Sequence, residues 1–559
     1  MSKNKSSASA KTAKFYFNQG IIWGTKGNFL FAIKQYDTAI HLDPKHENSY
    51  TNRGLAYAGL FNYAEAIADY NKALDLNPKH ELALNNRGAA YLSLLDYGNA
   101  INDFTKIIGL NPSFSLAFHN RALCYNAQGD YVKAIADYNI AINLNSKDAI
   151  YFYNRAMTYV AQGNHVQTIA DFTETIRLNS KLPLAFYNRG LSHYIQGNYA
   201  QAITDYTDSI LLNSSDHLVF YNRGIAYFAQ GNYAKALEDF DKAIHLKSDH
   251  IDSFFYRGLS NYYLGDNAKA IADYDKVIIA QPNNTNALNN RGMSYKVLGN
   301  HEKAFADFSQ AIISNSEFSK SYFNRGLISV GQGKLAEALS DFNEAIRLDP
   351  QFAKAYKHRG LIYKVQRNNM KAIEDFNQAI HINPELIGAL FNRGLVNYSI
   401  GNQAQAIEDF NSVILLNSKN SSVFYNLGLA YAAKNDHANA IINYSKAIDL
   451  KDDNPLFFFN RAISYKASGD FVRAINDFTQ AIHLDPTFSR AFYNRGLAYR
   501  AAGNSADATK DMDEACRLEP KYQNIAFFNG IAPQREEKSE QHERAFGDQN
   551  PSAQKKVRF

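Results

Sequence analysis

The sequence predicts an all-α solenoid built of helical hairpins. Three observations predict it: a 34-residue period, helical-face spacing of apolar residues in each half of the period, and turn residues at fixed places between the halves. The pair Asn-Arg recurs at Asn52-Arg53, Asn86-Arg87, Asn120-Arg121, Asn154-Arg155, Asn188-Arg189 and Asn222-Arg223. It recurs again at Asn290-Arg291, Asn324-Arg325, Asn392-Arg393, Asn460-Arg461 and Asn494-Arg495, always 34 residues or a multiple apart. A register begun at Ala13 gives fifteen repeats without insertion over 13–522, with 12 residues before them and 37 after.

Each element follows from its residues, with positions counted 1 to 34 within a repeat. Positions 4, 8 and 11 are spaced as one face of a first helix, aromatic at 4 in twelve repeats, Gly or Ala at 8, and aromatic at 11 in eleven. Gly at position 15, present in eleven repeats, suits the left-handed residue that ends a helix. Asn or Asp at 16, present in fourteen, caps the next one. Positions 20, 24 and 27 form one face of a second helix, with Ala at 20 in all repeats but one (Thr168) and Tyr or Phe at 24 in all but one (Met512). Pro at 32, in eight repeats, stops that helix. The expected product is thirty helices in fifteen hairpins and no sheet. A lone hairpin cannot bury its apolar face, whereas stacked neighbours can.

These repeats resemble tetratricopeptide repeats, which share the 34-residue length, the small residues at 8 and 20, Tyr at 11, an aromatic at 24 and Pro at 32. The resemblance covers 13–522. It implies a right-handed superhelix whose first helices line a concave face and whose second helices form the convex one.

Composition narrows the function. No apolar run approaches the ~18–20 residues a membrane-spanning helix needs. The net charge of +5 over 559 residues lacks the strongly basic balance of a dedicated nucleic-acid binder. The two cysteines, Cys124 and Cys516, are expected to be free thiols, and no zinc spacing, nucleophile elbow or phosphate loop occurs. His41, His245, His381 and His483 share position 29 near the end of a second helix, where a cation is favoured. The chain is therefore expected to be no enzyme and to use neither cofactor nor metal.

Position 7 departs from the family, which carries an aliphatic residue there. It is Arg in thirteen repeats, and position 23 is Asp in thirteen. The exceptions coincide, Gln19 with Gln35 and Leu427 with Asn443. Independent loss would match about one time in a hundred, so the two columns are expected to touch. Pairing across repeats would orphan Asp409 and Arg461, so the bridge is expected within each repeat.

The first-helix face is where a ligand is expected. Position 6 is Asn in thirteen repeats, among them Asn52, Asn86, Asn120, Asn154, Asn188, Asn222, Asn290, Asn324, Asn392, Asn426, Asn460 and Asn494; Tyr256 and His358 are the exceptions. An Asn amide offers a donor and an acceptor to any peptide group. First helices ~10 Å apart would meet about every third residue of an extended chain that advances ~3.3–3.6 Å per residue. This ladder resembles that of the tetratricopeptide arm of O-linked N-acetylglucosamine transferase, and its Asn-Arg step resembles that of the carboxylate-clamp domains of chaperone cofactors. Both resemblances imply an extended peptide ligand. Ten aromatics at position 5 and aliphatic residues or Met at position 9 allow a second reading, in which this face packs neighbouring helices together and Asn bridges inside the coil.

Charge on the face is one-sided. Positions 2, 5 and 12 carry Lys14, Lys296, Lys320, Lys354, Lys357, Lys364, Lys466, Arg490 and Arg500 against a single Asp252. The expected ligand is an extended acidic or carboxylate-ended peptide in repeats 9 to 12. Asn290, Asn324 and Asn392 would hold its backbone, Lys320, Lys354, Lys357 and Lys364 would supply charge, and His358 would add a positive charge below its ordinary pKa of ~6.5.

The first twelve residues are basic and Ser-rich without an apolar stretch, and are expected to be a disordered lead-in. Residues 523–533 read as a capping first helix and 534–559 as a disordered tail. In the tail, Glu536-Glu537-Lys538-Ser539-Glu540 resembles the glutamate block of type IV secreted bacterial effectors. Lys556-Val557-Arg558-Phe559 resembles a docking peptide for protein phosphatase 1. The leading expectation is a cytoplasmic protein-interaction scaffold, with no nucleic acid and no membrane span. The alternative is an assembly factor that uses the convex face or the ends, or an effector secreted into a host cell.

Overall fold

The computed structural model describes residues 2–519 and 521–522, with side chains from Lys11 onward. Among these residues there are thirty helices and no strand. They form two compact bodies, divided between Ala280 and Gln281. Within each body, every repeat is an antiparallel pair of helices. In repeat 7 they are His217–Ala229 and Tyr233–Leu246. The capping residues 523–533 and the tail motifs lie outside the described residues.

The hairpin is built as its residues dictate. Gly231 sits at φ +76° between the two helices of repeat 7, and Asn232 caps the second by accepting from the Lys235 amide. Ala236, Phe240 and Ala243 are buried. Gly224 lets the helices close on each other, since a Cβ there would stand 2.7 Å from Cε1 of Phe240. Four repeats place Phe61, Leu95, Arg367 and Asn435 in the left-handed turn position instead of Gly.

The Arg and Asp columns meet within each repeat. All thirteen Arg donate from Nε and Nη2 to both carboxylate oxygens of the Asp sixteen residues on; Arg87 and Asp103 do so at 2.7 Å for each bond. All thirteen Asp are buried. Where position 4 is aromatic the guanidinium also lies over that ring, 5.7 Å from the centroid for Arg223 and Phe220. The hydrogen bond to Asp103 holds Arg87 above its ordinary pKa. At Asp239 burial outweighs the pull of Arg223 and holds the carboxyl above the usual range.

One contact was not foreseen. Nη1 of the Arg reaches the preceding repeat, at position 25 of its second helix. Arg53 takes Asp37, Arg87 Asn71, Arg121 Thr105, and Arg325 Ser309. Within each body such an Arg thus fastens three helices: its own, its partner in the hairpin, and the second helix before it.

The expected disordered lead-in is corrected. The first helix runs Ser2–Thr25, so it extends well ahead of the repeat register. Residues 2–12 hold neither Gly nor Pro. Once the packed part of a helix exists, adding residues at its end avoids the cost of nucleation.

Candidate functional site

The face formed by the first helices is set from inside. Position-5 rings do not line it freely. Nine of the ten pack against the position-24 ring of their own repeat, as in Tyr187–Tyr206 at 6.0 Å, Phe323–Phe342 at 5.8 Å and Phe459–Phe478 at 5.7 Å between centroids. Burial holds the Tyr425 phenol well above its ordinary value.

The Asn ladder is largely engaged by the protein itself. Asn222 donates both amide hydrogens, to Tyr187 Oη and to the Leu218 carbonyl, each at 2.9 Å. Asn460 does the same with Tyr425 and Leu456. Burial raises the pKa of the Tyr153 phenol. Asn120 and Asn324 donate to Asn85 and Asn289 of the preceding repeat, and Asn154 meets His119 at 3.5 Å. Asn86 and Asn290 accept from their neighbours Asn85 and Asn289, and the Asn86 amide nitrogen is buried without a partner. Asn426 and Asn494 donate to the carbonyls of Ser422 and Arg490. Asn52 makes no side-chain hydrogen bond among the described residues, and Asn324 is buried. At Asn120, Asn154, Asn222, Asn324 and Asn460, position 6 thus ties its first helix to the one before it.

The lysines are distributed differently. Lys320 and Lys354 are exposed; Lys296, Lys357 and Lys364 are half-buried. Among the described residues none of the five has a carboxylate within ion-pair distance. Lys364 Nζ donates to Asn392 Oδ1 at 2.9 Å, and Asn392 in turn donates to the Gly388 carbonyl at 2.8 Å. Burial pushes Lys364 down to about 8. Burial, and then the charge of Lys354, lowers Lys357. The structure brings Lys296, Lys354 and Lys357 together around His358, and the expectation for that histidine is corrected. It is buried, with Nδ1 unpartnered, and burial followed by the three lysines pushes its pKa down to about 3. It stays neutral at pH 6 and adds no charge.

Comparisons with known proteins bear on this geometry. The sequence pattern described as "Tetratricopeptide repeat" matches residues 48–80, 217–250 and 353–386, and related patterns of that description match 82–114, 421–454, 153–217, 255–322 and 459–522. A further one, described as "TPR repeat", matches 122–163 and 329–366, and together the matches span more than half of the chain. The chain belongs to the tetratricopeptide repeat family. No curated protein matches it. Among solved structures, the APC/C hetero-tetramer Cut9–Hcn1 is 16% identical, over 87% of this chain and 96% of that one, with a TM-score of 0.35. Yeast Tom70 is 19% identical over 75% and 95%, with a TM-score of 0.30. The C-terminal part of a repeat protein from Cytophaga hutchinsonii is 21% identical over 42% and 97%, with a TM-score of 0.39.

In tetratricopeptide terms, one feature of the face escaped the sequence reading. Position 2 is Leu82, Leu116, Ile150, Leu184 and Leu218 in five consecutive repeats, and all five are exposed, Leu184 to 54%. Its signal in the sequence is the hydropathy of position 2 rather than the charge there. The first body thus presents an apolar stripe where the second presents lysines. Cys124 and Cys516 are free thiols. Among the described residues no group of three or more His, Cys, Asp or Glu could hold a metal ion, and no helix is long and apolar enough to cross a membrane.

Proposed function

We propose that this tetratricopeptide protein is an interaction scaffold that takes extended, acidic partner segments along its first-helix face in repeats 9 to 12. Proteins of the family generally mediate protein–protein interaction. The observation that carries the reading is the set of five lysines, Lys296, Lys320, Lys354, Lys357 and Lys364, on one face without a single ion pair among the described residues. Elsewhere the chain pairs its cations readily, thirteen Arg in buried forks and several Lys one turn from an acid, as in Lys133–Asp130. Half-buried amines left unneutralised favour an anionic partner, because charge-assisted hydrogen bonds are about twice as strong as neutral ones.

The ladder plays a smaller part than its regularity suggests. Asn222 and Asn460 have both amide hydrogens in use and keep only Oδ1 for a ligand, so they could accept from a peptide N–H but not donate to its carbonyl. Asn392 is fully engaged on one side by Lys364. The lysines therefore supply affinity and the amides, at most, register. The second-helix face offers no such one-sided column: at position 29 the exposed Leu211, Ile279, Ile313 and Leu415 are interrupted by His245, Arg347 and His381.

The test is partner capture by the wild type and by a Lys354→Glu, Lys357→Glu double variant of unchanged helicity. Loss of the captured partner, with salt-sensitive binding in the wild type, is the expected result. Retention at unchanged affinity and salt dependence places the ligand elsewhere.

A further inference from the structure

We propose that the anion taken by this face is a phosphoryl group carried on a partner protein, seated where Lys357 of the helix Ala353–Val365 lies against Gly388 of the helix Ile387–Ser399, with Lys354 one turn before it and Lys364 held through Asn392. The inference rests on the scaffold reading and specifies the chemistry of its ligand.

Gly388 is the first observation. Position 2 of the repeat carries a side chain in every other repeat, and only repeat 12 has Gly. A Cβ at 388 would stand 3.3 Å from Lys357 Cδ and 3.9 Å from its Nζ. The Lys357 chain therefore lies in the space that the missing side chain vacates. Glycine near the start of a 13-residue helix is a poor helix former, so close approach to Lys357 is what it provides here. From the same residue, the Gly388 carbonyl holds Asn392, and Asn392 holds the Lys364 ammonium. The Arg490 carbonyl holds Asn494 and Lys466 in the same way, so what the missing side chain itself provides is the space for Lys357.

The second observation is the kind of cation. In this chain carboxylates buried between helices are held by Arg forks, thirteen of them, with two parallel bonds each. That is the planar geometry a carboxylate prefers. The cluster around Gly388 has no Arg among its cations. Ammonium groups are point charges, and Lys357 beside Gly388, with Lys354 on the preceding turn and Lys364 held at Asn392 on the same face, suits a group with two negative charges and three acceptor oxygens.

The third is access. Lys364 and Lys357 are half-buried between two helices, and only Lys320 and Lys354 stand clear. A membrane surface would meet the exposed pair and leave the other two out of reach, whereas a phosphorylated side chain on a peptide can enter. Bases of a nucleic acid find no stacking platform, because the Phe323 and Phe391 rings are packed on Phe342 and Phe410.

The experiment uses the full chain and three immobilised degenerate peptide pools that differ in one fixed residue: Ser, Glu or phosphoserine. The phosphoserine pool should be retained at least tenfold more than the Glu pool, and inorganic phosphate should compete. Gly388→Leu fills the cradle without changing the net charge, and other repeats carry Leu at that position, as at Leu82 and Leu184. It should lose the preference tenfold, as should Lys357→Gln with Lys364→Gln. Equal retention of the Glu and phosphoserine pools overturns the proposal, as does an unaltered preference in Gly388→Leu. Binding to vesicles containing phosphoinositides without retention of the phosphoserine pool also overturns it. If Lys354→Glu with Lys357→Glu loses its captured partner yet no phosphoserine preference exists, this inference alone fails. If that variant keeps the partner, the scaffold reading fails with it.

Discussion

Arg223 holds Asp239 with two parallel bonds, Nε to Oδ2 at 2.8 Å and Nη2 to Oδ1 at 2.7 Å, and places its remaining nitrogen on Thr207 of the preceding hairpin at 3.1 Å. The carboxylate is 4% exposed. Burying two charges is expensive, and a fork returns that energy only while both partners stand. Asp239→Ala leaves a half-buried guanidinium without its acceptor and should cost about 3–5 kcal/mol. Replacing both residues by apolar ones of similar volume should cost far less. Equal shifts of the thermal midpoint in the two variants would count against this account.

Repeat 13 already contains the apolar solution. Leu427 and Asn443 stand where Arg and Asp stand elsewhere, and Leu427 packs in a cluster with Phe410, Val413 and Val423. Asn411, at position 25 of repeat 12, has no Arg above it. Leu427→Arg alone should destabilise, because it buries an unpaired charge. Adding Asn443→Asp should recover much of the loss, with Asn411 available to Nη1. A double-mutant cycle in denaturant should show coupling of about 1–3 kcal/mol. Coupling near zero would mean that this junction cannot accept the fork.

The fold was legible because each structural need recurs fifteen times in one column. Gly at 15, Ala at 20 and the aromatic at 24 each repeat a local requirement, and the joint loss at Gln19 with Gln35 and Leu427 with Asn443 exposed a contact no single repeat could show. The third bond of the Arg was illegible for the opposite reason. Its acceptors are Asp37, Asn71, Thr105 and Ser309, which share only a side-chain oxygen, so the column looks variable. The site was legible as charge and not as burial. The lysines could be counted, but the depth of His358, the engagement of Asn222 by Tyr187 and the space at Gly388 depend on how neighbouring repeats stack.

Lys364 should make stability rise with pH. Its pKa, lowered by burial from 10.5 to about 8, means that the folded state binds this proton less tightly than the unfolded chain. The penalty is fully present below pH 8 and is relieved as pH rises from 8 to 10.5. Lys364→Met should therefore melt higher than the wild type at pH 7, with the advantage vanishing by pH 10.5. An anion bound beside Lys364 would favour its charged form, so binding at pH 8.5 should take up protons. Calorimetry in two buffers of different ionisation enthalpy reads that uptake, and identical heats would exclude it.

His358 should do nothing between pH 7.5 and 6. Burial, reinforced by Lys357, Lys296 and Lys354, holds its pKa at about 3, well below its ordinary 6.5. A histidine kept neutral in the folded state loses stability for the protein as pH falls from 6.5 towards 3, the window in which the unfolded chain takes the proton and the folded one does not. Affinity for an acidic segment should be flat across pH 7.5 to 6. The imidazole proton resonances should show no titration above pH 5, and a midpoint near 6.5 would contradict the burial seen here.

Phe61 offers the simplest gain in stability. It sits at φ +62° between the helices of repeat 2, where eleven other repeats have Gly, and its ring is 78% exposed. A side chain in the left-handed region costs roughly 1–2 kcal/mol, because Cβ crowds the following carbonyl. Little packing offsets that cost at such exposure; Tyr63 touches the ring edge-on at 6.4 Å. Gly meets the same backbone angle without the clash, at some expense in unfolded-state entropy. Phe61→Gly should raise stability by about 0.5–1 kcal/mol. Leu95, at φ +62° in repeat 3 and 68% exposed, should behave alike. The two gains should add, since the turns share no partner. Denaturant midpoints of the single and double variants decide the matter. A loss of stability on removing the ring would mean that Phe61 makes a packing contact worth more than the strain it carries.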